Sequence, residues 1–452
     1  MTTTDRTIGA PRPGRGPLDD LPRIAGADDP IGGIIKVRPE DFIVDEQPQY
    51  DPCGQGEHIY LYVEKSGLST SQLIRILAQH FRVDDRAIGY AGMKDKHALT
   101  RQVISIHAPG KRIEDFPSIT HEKISILWAD HHTNKLRVGH LKGNRFSIRI
   151  REVDPLRVLS AKRTVDRLIA TGLPNYFGPQ RFGARGNNHT LGRLLLVRDW
   201  QGFLDGLLGP GDAANANLPA DGSDAAAQAR ALYAEGRFAE AAGVIPRMLR
   251  HERAALRALA SGATPDEAIR AIHPMQMRFW ISAFQSGVFN RFLGARVTDG
   301  TFDRLLLGDV ACKLRNGALF DADDRTLADP DTAHRLASFE VAPSGPLWGP
   351  KMKRATGAPG DLETRLLRDT GVTLESFAAA ADTIDVDLPG ARRPLRVALT
   401  DVELEGGIDE HGPFIRIAFD LPPGSFATVV IREITGIDAP MPADAIEDGD
   451  HD

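Results

Sequence analysis

The chain has 452 residues, a net charge of −6, 42% hydrophobic and 26% charged residues, the composition of an ordinary globular protein with room for two or three domains. It contains no run of about eighteen apolar residues, which argues against a membrane-spanning helix. The polar, Pro- and Gly-rich stretch Met1 to Asp20 lacks the apolar core of a secretion signal, and Cys53 and Cys312 are too few for a disulfide framework or a cysteine-based zinc site, so a cytoplasmic location is expected.

In chain order, residues 1–30 read as a flexible leader. Ile34 to Val37 and Phe42 to Asp45 are short β-prone runs. In His58 to Glu64 the residues Ile59, Leu61 and Val63 alternate with Tyr60, Tyr62 and Glu64, a period-two strand pattern. Ser69 to Phe81 reads as a helix with Ser69 or Thr70 as N-cap and Leu73, Ile74 and Leu77 on one face. Val103 to His107 is strand-like. Between this strand and the helix lies Gly89-Tyr90-Ala91-Gly92-Met93-Lys94-Asp95-Lys96-His97-Ala98-Leu99-Thr100, where apolar periodicity fails and a connection is expected.

From Lys135 to Arg151 the chain carries Lys135, Arg137, Lys142, Arg145, Arg149 and Arg151 and no acid. Phe146, Ile148 and Ile150 alternate with Arg145, Ser147, Arg149 and Arg151, which predicts a strand with one apolar and one cationic face. A local basic face of this kind can hold phosphates whatever the net charge. Leu156 to Ala170 reads as a helix. Strand patterning lapses near Gly172, and a turn-rich aromatic segment, Pro174 to Gly183, is followed by helical stretches. These include the alanine-rich Ala213 to Ala242 and a core-facing helix over His273 to Val297 with Pro274 at its start. Strand patterning returns at Val397 to Leu404 and Phe414 to Phe419, and a helix is expected from Ser425 after Pro422-Pro423-Gly424. A sheet that opens the chain and resumes at its end predicts one domain inserted into another: 31–171 with 400–436, interrupted by 172–399, and an acidic tail over 437–452.

The chemistry is narrowed first by what is missing. The sequence has no phosphate-binding Gly-x-x-x-x-Gly-Lys-Ser/Thr, no His-Glu-x-x-His and no Gly-x-Ser-x-Gly. Neighbouring His131 and His132 would point to opposite faces of an extended segment, so no metal site is expected. What remains is Asp95 between Lys94 and Lys96. Adjacent positive charge keeps a carboxyl ionised, which suits a nucleophile or a base. The lysines would supply positive potential to the acid. An acid, a basic strand and aromatics in glycine-rich contexts are the parts needed to unstack and modify a base.

Gly92-Met93-Lys94-Asp95-Lys96-His97-Ala98-Leu99-Thr100 resembles the catalytic motif of the TruD family of tRNA pseudouridine synthases. Arg38 to Phe42, Leu141 to Phe146, Pro174 to Gly183, and Pro423 to Thr428 resemble further segments of that family in the same order. The resemblance implies an α+β fold, a mixed-sheet pseudouridine synthase core with a large, mainly helical α/β insert. It also implies isomerisation of uridine to pseudouridine, at uridine 13 in the D-arm of tRNA. On the matching positions it implies Asp95 as nucleophile and Phe42, Asn144 and Phe426 as substrate-binding residues, with Lys94, Lys96 and Phe146 in support. It further implies tRNA as partner, no cofactor and no metal; a monomer is the favoured state. From the residues alone, Asn144 could occupy a left-handed turn after Gly143 or read a uracil edge, and Phe146 could be plain core. The rival readings are a non-catalytic RNA-binding protein and a hydrolase of the N-glycosidic bond, the latter expected to need a second carboxylate.

Overall fold

The computed structural model describes residues 21–24, 29–210 and 224–437. The leader expected over 1–30 lies mostly outside the described residues. So do the acidic tail, but for its first residue, and part of the alanine-rich stretch. The chain divides into two compact units, one formed by 27–171 and 398–452, the other by 1–26 and 172–397.

The segment 27–171 of the first unit supplies β1 (Phe42–Pro48), β2 (His58–Ser66), α1 (Thr70–Phe81), β3 (Ile88–Tyr90), β4 (Leu99–His107), β5 (Ile124–His132), β6 (Leu141–Arg151) and α2 (Val158–Thr171). Helix α1 starts where its capping chemistry dictates. The Ser69 hydroxyl accepts from the Gln72 amide at 3.1 Å and the Gln72 side chain accepts from the Ser69 amide at 2.8 Å, a reciprocal box that satisfies two otherwise orphaned donors. Its apolar stripe, Leu73, Leu77 and Phe81, packs on Ile59, Leu61 and Val63 of β2 and Ile104 and Ile106 of β4. The run Ile34 to Val37 does not form a strand. Only Ile34 bridges to Arg151, Lys36 turns into the left-handed region at φ 59°, and Pro39–Asp41 is a short 3-10 turn. Pro39 holds Arg38 extended, as a following proline requires, and so separates the bridge from β1.

From residue 172 on, the other unit holds β7 (Leu173–Pro174) and then α3 (Asn188–Leu196), α4 (Trp200–Leu208), α5 (Asp224–Ala234), α6 (Phe238–Val244), α7 (Arg250–Ala260), α8 (Pro265–Arg270) and α9 (Pro274–Thr298). It continues with β8 (Val310–Lys313), β9 (Leu319–Asp321), α10 (Asp324–Ala328), α11 (Pro330–Ala337), β10 (Val341–Leu347), α12 (Gly357–Arg368), α13 (Leu374–Ile384), β11 (Ala391–Pro394) and β12 (Arg396–Val397). Trp280, Ile281, Phe284 and Val288 of α9 lie in a core shared with Leu191, Phe203, Leu256 and Phe377. The lapse of strand patterning after Gly172 is corrected here. The unit holds a four-stranded sheet in the order β11-β10-β8-β9 and a two-stranded β12-β7 pair. These strands are short, and β10 and β11 contain proline, so they carry no period-two signature.

The chain returns to the first unit with β13 (Thr400–Asp409), β14 (Gly412–Leu421) and α14 (Ala427–Thr435). The run expected as one strand over Val397 to Leu404 is therefore split between β12 and β13. The large sheet has the order β13-β14-β6-β1-β4-β2-β5, with β3 on β4. Only β1 and β4 pair in parallel, and the remaining pairs are antiparallel. The fold is the mixed-sheet α+β class expected, with a mainly helical unit interrupting it. No helix among the described residues is long and apolar enough to cross a membrane.

Candidate functional site

Strand register sets the site. Phe42 lies opposite Ile148, Val44 opposite Phe146, and Glu46 opposite Asn144. Because side chains alternate, Phe42, Val44 and Glu46 share one face of the sheet with Asn144, Phe146 and Ile148. Beyond β6, Phe419 pairs with Phe146 and Leu421 with Asn144. Three aromatics run across this face: the Phe146 ring stacks on Phe419 at 5.5 Å and meets Phe42 edge-on at 6.3 Å. All three are buried. Asn144 is an ordinary strand residue and not a left-handed turn. Gly143 beside it is forced by proximity, since a Cβ there would lie 2.5 Å from the Leu421 carbonyl oxygen.

Asp95 sits in the connection between β3 and β4, its side chain 27% exposed. The cation on its carboxylate is Lys36, whose buried ammonium pairs with Asp95 Oδ2 and lies 4.7 Å from the centre of the Phe42 ring. The His97 amide donates to Asp95 Oδ1 at 2.9 Å. Burial pushes the Asp95 carboxyl up, but the Lys36 charge and hydrogen bond, with the His97 amide, outweigh it and hold the pKa below the ordinary aspartate value. The backbone of the loop is pinned from beneath. Buried Lys65 donates to the Asp95 carbonyl at 3.1 Å, to that of Lys94 at 3.4 Å, and to that of Leu68. The Lys94 amide donates to Thr70 Oγ1 at 2.9 Å.

Lys94 does not turn toward the acid beside it. Its ammonium, 5% exposed, pairs with Glu46 Oε2 at 2.7 Å and donates to Asn144 Oδ1 at 2.9 Å. Glu46, fully buried, accepts from the Val103 amide through its other oxygen at 3.2 Å. The expected role of Lys94 as a source of potential for Asp95 is thus replaced by an internal ion pair, and Lys36 takes that role. Lys96 is half-buried in the same loop. Asp95, Lys36, Phe42 and Phe146 form one chain of contacts and Lys94, Asn144 and Glu46 a second, the two meeting where Lys94 precedes Asp95 in the loop. Phe426 is half-buried and ends the turn that follows β14, immediately before α14; β14 itself ends at Leu421, the partner of Asn144.

Lys36, Glu46 and Lys65 were not singled out from sequence, yet a signal existed for the latter two. Glu46 shares the face of Phe42 and Val44, and Lys65 that of Ile59, Leu61 and Val63. A charge on the apolar face of a strand is retained only with a buried partner.

The cationic face expected of β6 is mostly spent inside the protein. Arg151 is buried and bound by Asp41 at 2.6 Å and Asp409 at 2.6 Å. Arg145 pairs with Asp420 at 2.9 Å and Glu403 at 2.6 Å. Arg149 lies over the Phe414 ring at 5.2 Å. The partner acids come from the 3-10 turn and from β13 and β14, far away in sequence, so a local charge count could not pair them. Lys135 and Arg137 precede the strand, and the Lys135 ammonium donates to the Arg86 carbonyl. No group of three or more potential metal-ligating side chains occurs among the described residues.

With this geometry in view, the similarities to known proteins agree. Residues 24–434 match the family described as tRNA pseudouridine synthase D (TruD). The chain is 38% identical over 408 residues to the tRNA pseudouridine synthase D of Syntrophotalea carbinolica, covering 90% of this chain and 97% of that one. It is 40% identical over 410 residues to that of Geobacter sp. strain M21, covering 89% and 96%. The crystal structure of a putative tRNA pseudouridine synthase D from Methanosarcina mazei superposes with a TM-score of 0.74 at 26% identity, covering 92% of this chain and 96% of that one. An ionised acid on a pinned loop, a mixed sheet interrupted by a mainly helical unit, and a match across nearly the whole described length mark the chain as a member of the TruD family of pseudouridine synthases.

Proposed function

We propose that this protein isomerises uridine 13 in the D-arm of tRNA, with Asp95 as the nucleophile and Asn144, Phe42 and Phe426 as the residues that receive the base. The observation that carries the reading is the Lys36–Asp95 ion pair on a loop pinned by Lys65. It supports an acid kept ionised and aimed, at the edge of a face lined by Phe42, Phe146 and Asn144. In the reaction the N1–C1′ bond breaks and C5–C1′ forms, while C5 loses a proton and N1 gains one. Substrate and product are isomers, so no oxidant or group donor is consumed. In this reading 31–171 with 400–436 is the catalytic domain and 172–399 an insert within it.

The acid speaks against simple RNA binding, because a binding surface gains nothing from a carboxylate held toward polyanionic RNA. A glycosidic hydrolase would use a second carboxylate as partner acid. Glu46, the other carboxylate of the cluster, is neutralised by Lys94. The test is to incubate the purified protein and its Asp95→Asn variant with unmodified tRNA and map pseudouridine. The wild type should modify position 13, and the variant should bind tRNA without turnover. Turnover by the variant, modification elsewhere, or release of free uracil would each refute the assignment.

A further inference from the structure

We infer that Lys94 is a positioning residue that fixes the side-chain amide of Asn144 with its nitrogen toward the base, so that the site selects uracil by presenting a hydrogen-bond donor to a ring carbonyl. The inference rests on the reading of Asn144 as a base-contacting residue. The two ends of an asparagine amide are told apart only by their partners. An ammonium has protons and no lone pair, so the atom 2.9 Å from Lys94 Nζ must be the oxygen. Lys94 cannot turn away, because it is buried against Glu46 at 2.7 Å and Glu46 is fully buried and tied to the Val103 amide. Glu46 is also the cross-strand partner of Asn144, so strand register delivers the clamp. Among the described residues the Asn144 nitrogen has no protein acceptor and the residue is half-buried. Its two N–H groups are left for a ligand.

A fixed donor fits this substrate in a particular way. To re-attach through C5, the uracil ring turns about its N3–C6 axis, and this exchanges the places of the C4 and C2 carbonyls. A donor set against O4 in uridine meets O2 in the product, so it stays satisfied from start to finish. Cytosine has an amino group at C4 and would set donor against donor. An amide turned the other way would oppose a carbonyl oxygen both before and after the turn.

The test measures binding of uridine 5′-monophosphate and cytidine 5′-monophosphate by ligand-observed NMR, and turnover of tRNA carrying uridine or cytidine at the target position. The wild type should prefer the uridine nucleotide by about 10- to 100-fold, the usual worth of one well-placed hydrogen-bonding pair. Lys94→Arg, which can still donate, should keep the preference; Lys94→Met should lose most of it with a fall in kcat/KM. If Lys94→Met leaves Glu46 uncompensated and fails to fold, Asn144→Asp gives the same reading. It is isosteric, still faces Lys94, and turns an acceptor outward, so the preference should vanish or reverse. Equal response to both nucleotides, or to neither, in the wild type overturns the inference, as does a full uridine preference in folded Lys94→Met or Asn144→Asp. A wild type that prefers the uridine nucleotide but makes no pseudouridine in tRNA overturns the proposed function and leaves the amide orientation standing.

Discussion

Lys36 holds its backbone in the left-handed region and its ammonium on the Asp95 carboxylate. For a residue with a Cβ that conformation costs roughly 1–2 kcal/mol, and strain of this kind persists where the surroundings over-determine it. Here the Ile34–Arg151 bridge on one side and Pro39 on the other fix the path of the chain, and the ion pair is what the turn delivers.

A pH profile tests that relationship. With the Asp95 pKa held below the ordinary 3.8, activity that needs the carboxylate should not lose its acid at any pH above about 5. Lys36→Met removes the charge and leaves burial, which raises the carboxyl pKa. The acidic limb of kcat/KM should then move upward and activity at neutral pH should fall. A limb that stays in place would show that Lys36 does not set the ionisation of Asp95.

Arg151 offers a contrasting test. It joins buried Asp41 to Asp409 and is itself buried. Arg151→Met should lower unfolding free energy by about 3–5 kcal/mol, as expected when one partner of a buried pair is removed. Chemical denaturation measures this. The hydrogen bond from Arg151 pulls the Asp409 carboxyl down to about 2. A depressed carboxyl stabilises the fold above its unfolded value and loses that contribution as pH falls through the folded one. Acid titration of wild type should therefore show stability declining between about 4 and 2, and Arg151→Met should flatten that decline. If Arg151 instead served RNA phosphates, its loss would change the salt slope of tRNA binding and spare stability.

Gly143→Ala should disturb the site without touching a reactive group. The added methyl would press on the Leu421 carbonyl at 2.5 Å and on Gln47 Oε1 at 3.2 Å, so β6 and β14 must part where Asn144 pairs with Leu421. A destabilisation of about 1–3 kcal/mol is expected from such overpacking, with a larger loss of kcat/KM than of tRNA affinity. Unchanged unfolding and turnover would show that the strands yield there freely.

Phe426→Ala should weaken productive tRNA binding by about 1–3 kcal/mol if the ring stacks on the base, measured as a fall in kcat/KM with the unfolding midpoint nearly retained. Phe146→Ala provides the comparison. Phe146 is buried between Phe42 and Phe419, and its loss should destabilise by about 3–5 kcal/mol. Equal effects of the two changes on stability would assign Phe426 to the core as well.

What the sequence determined by itself follows from local physics. Period-two alternation marked β2 and β6, an N-cap at Ser69 or Thr70 marked the start of α1, and Pro274 marked the start of α9, because backbone geometry and capping act within a few residues. The loop around Asp95 was equally legible, since apolar periodicity fails there and Gly89 and Gly92 precede it. Tertiary structure alone decided the partners. Sequence neighbourhood offered Lys94 and Lys96 to Asp95; folding gave it Lys36 and sent Lys94 to Glu46 and Asn144. Sequence neighbourhood offered a cationic strand; folding laid Asp41, Asp409, Glu403 and Asp420 against it. Coulomb energy depends on distance in space and on burial, and neither is a function of separation along the chain. The strands of the inserted unit stayed hidden for a related reason: short, proline-containing segments acquire strand geometry only when a paired neighbour supplies it.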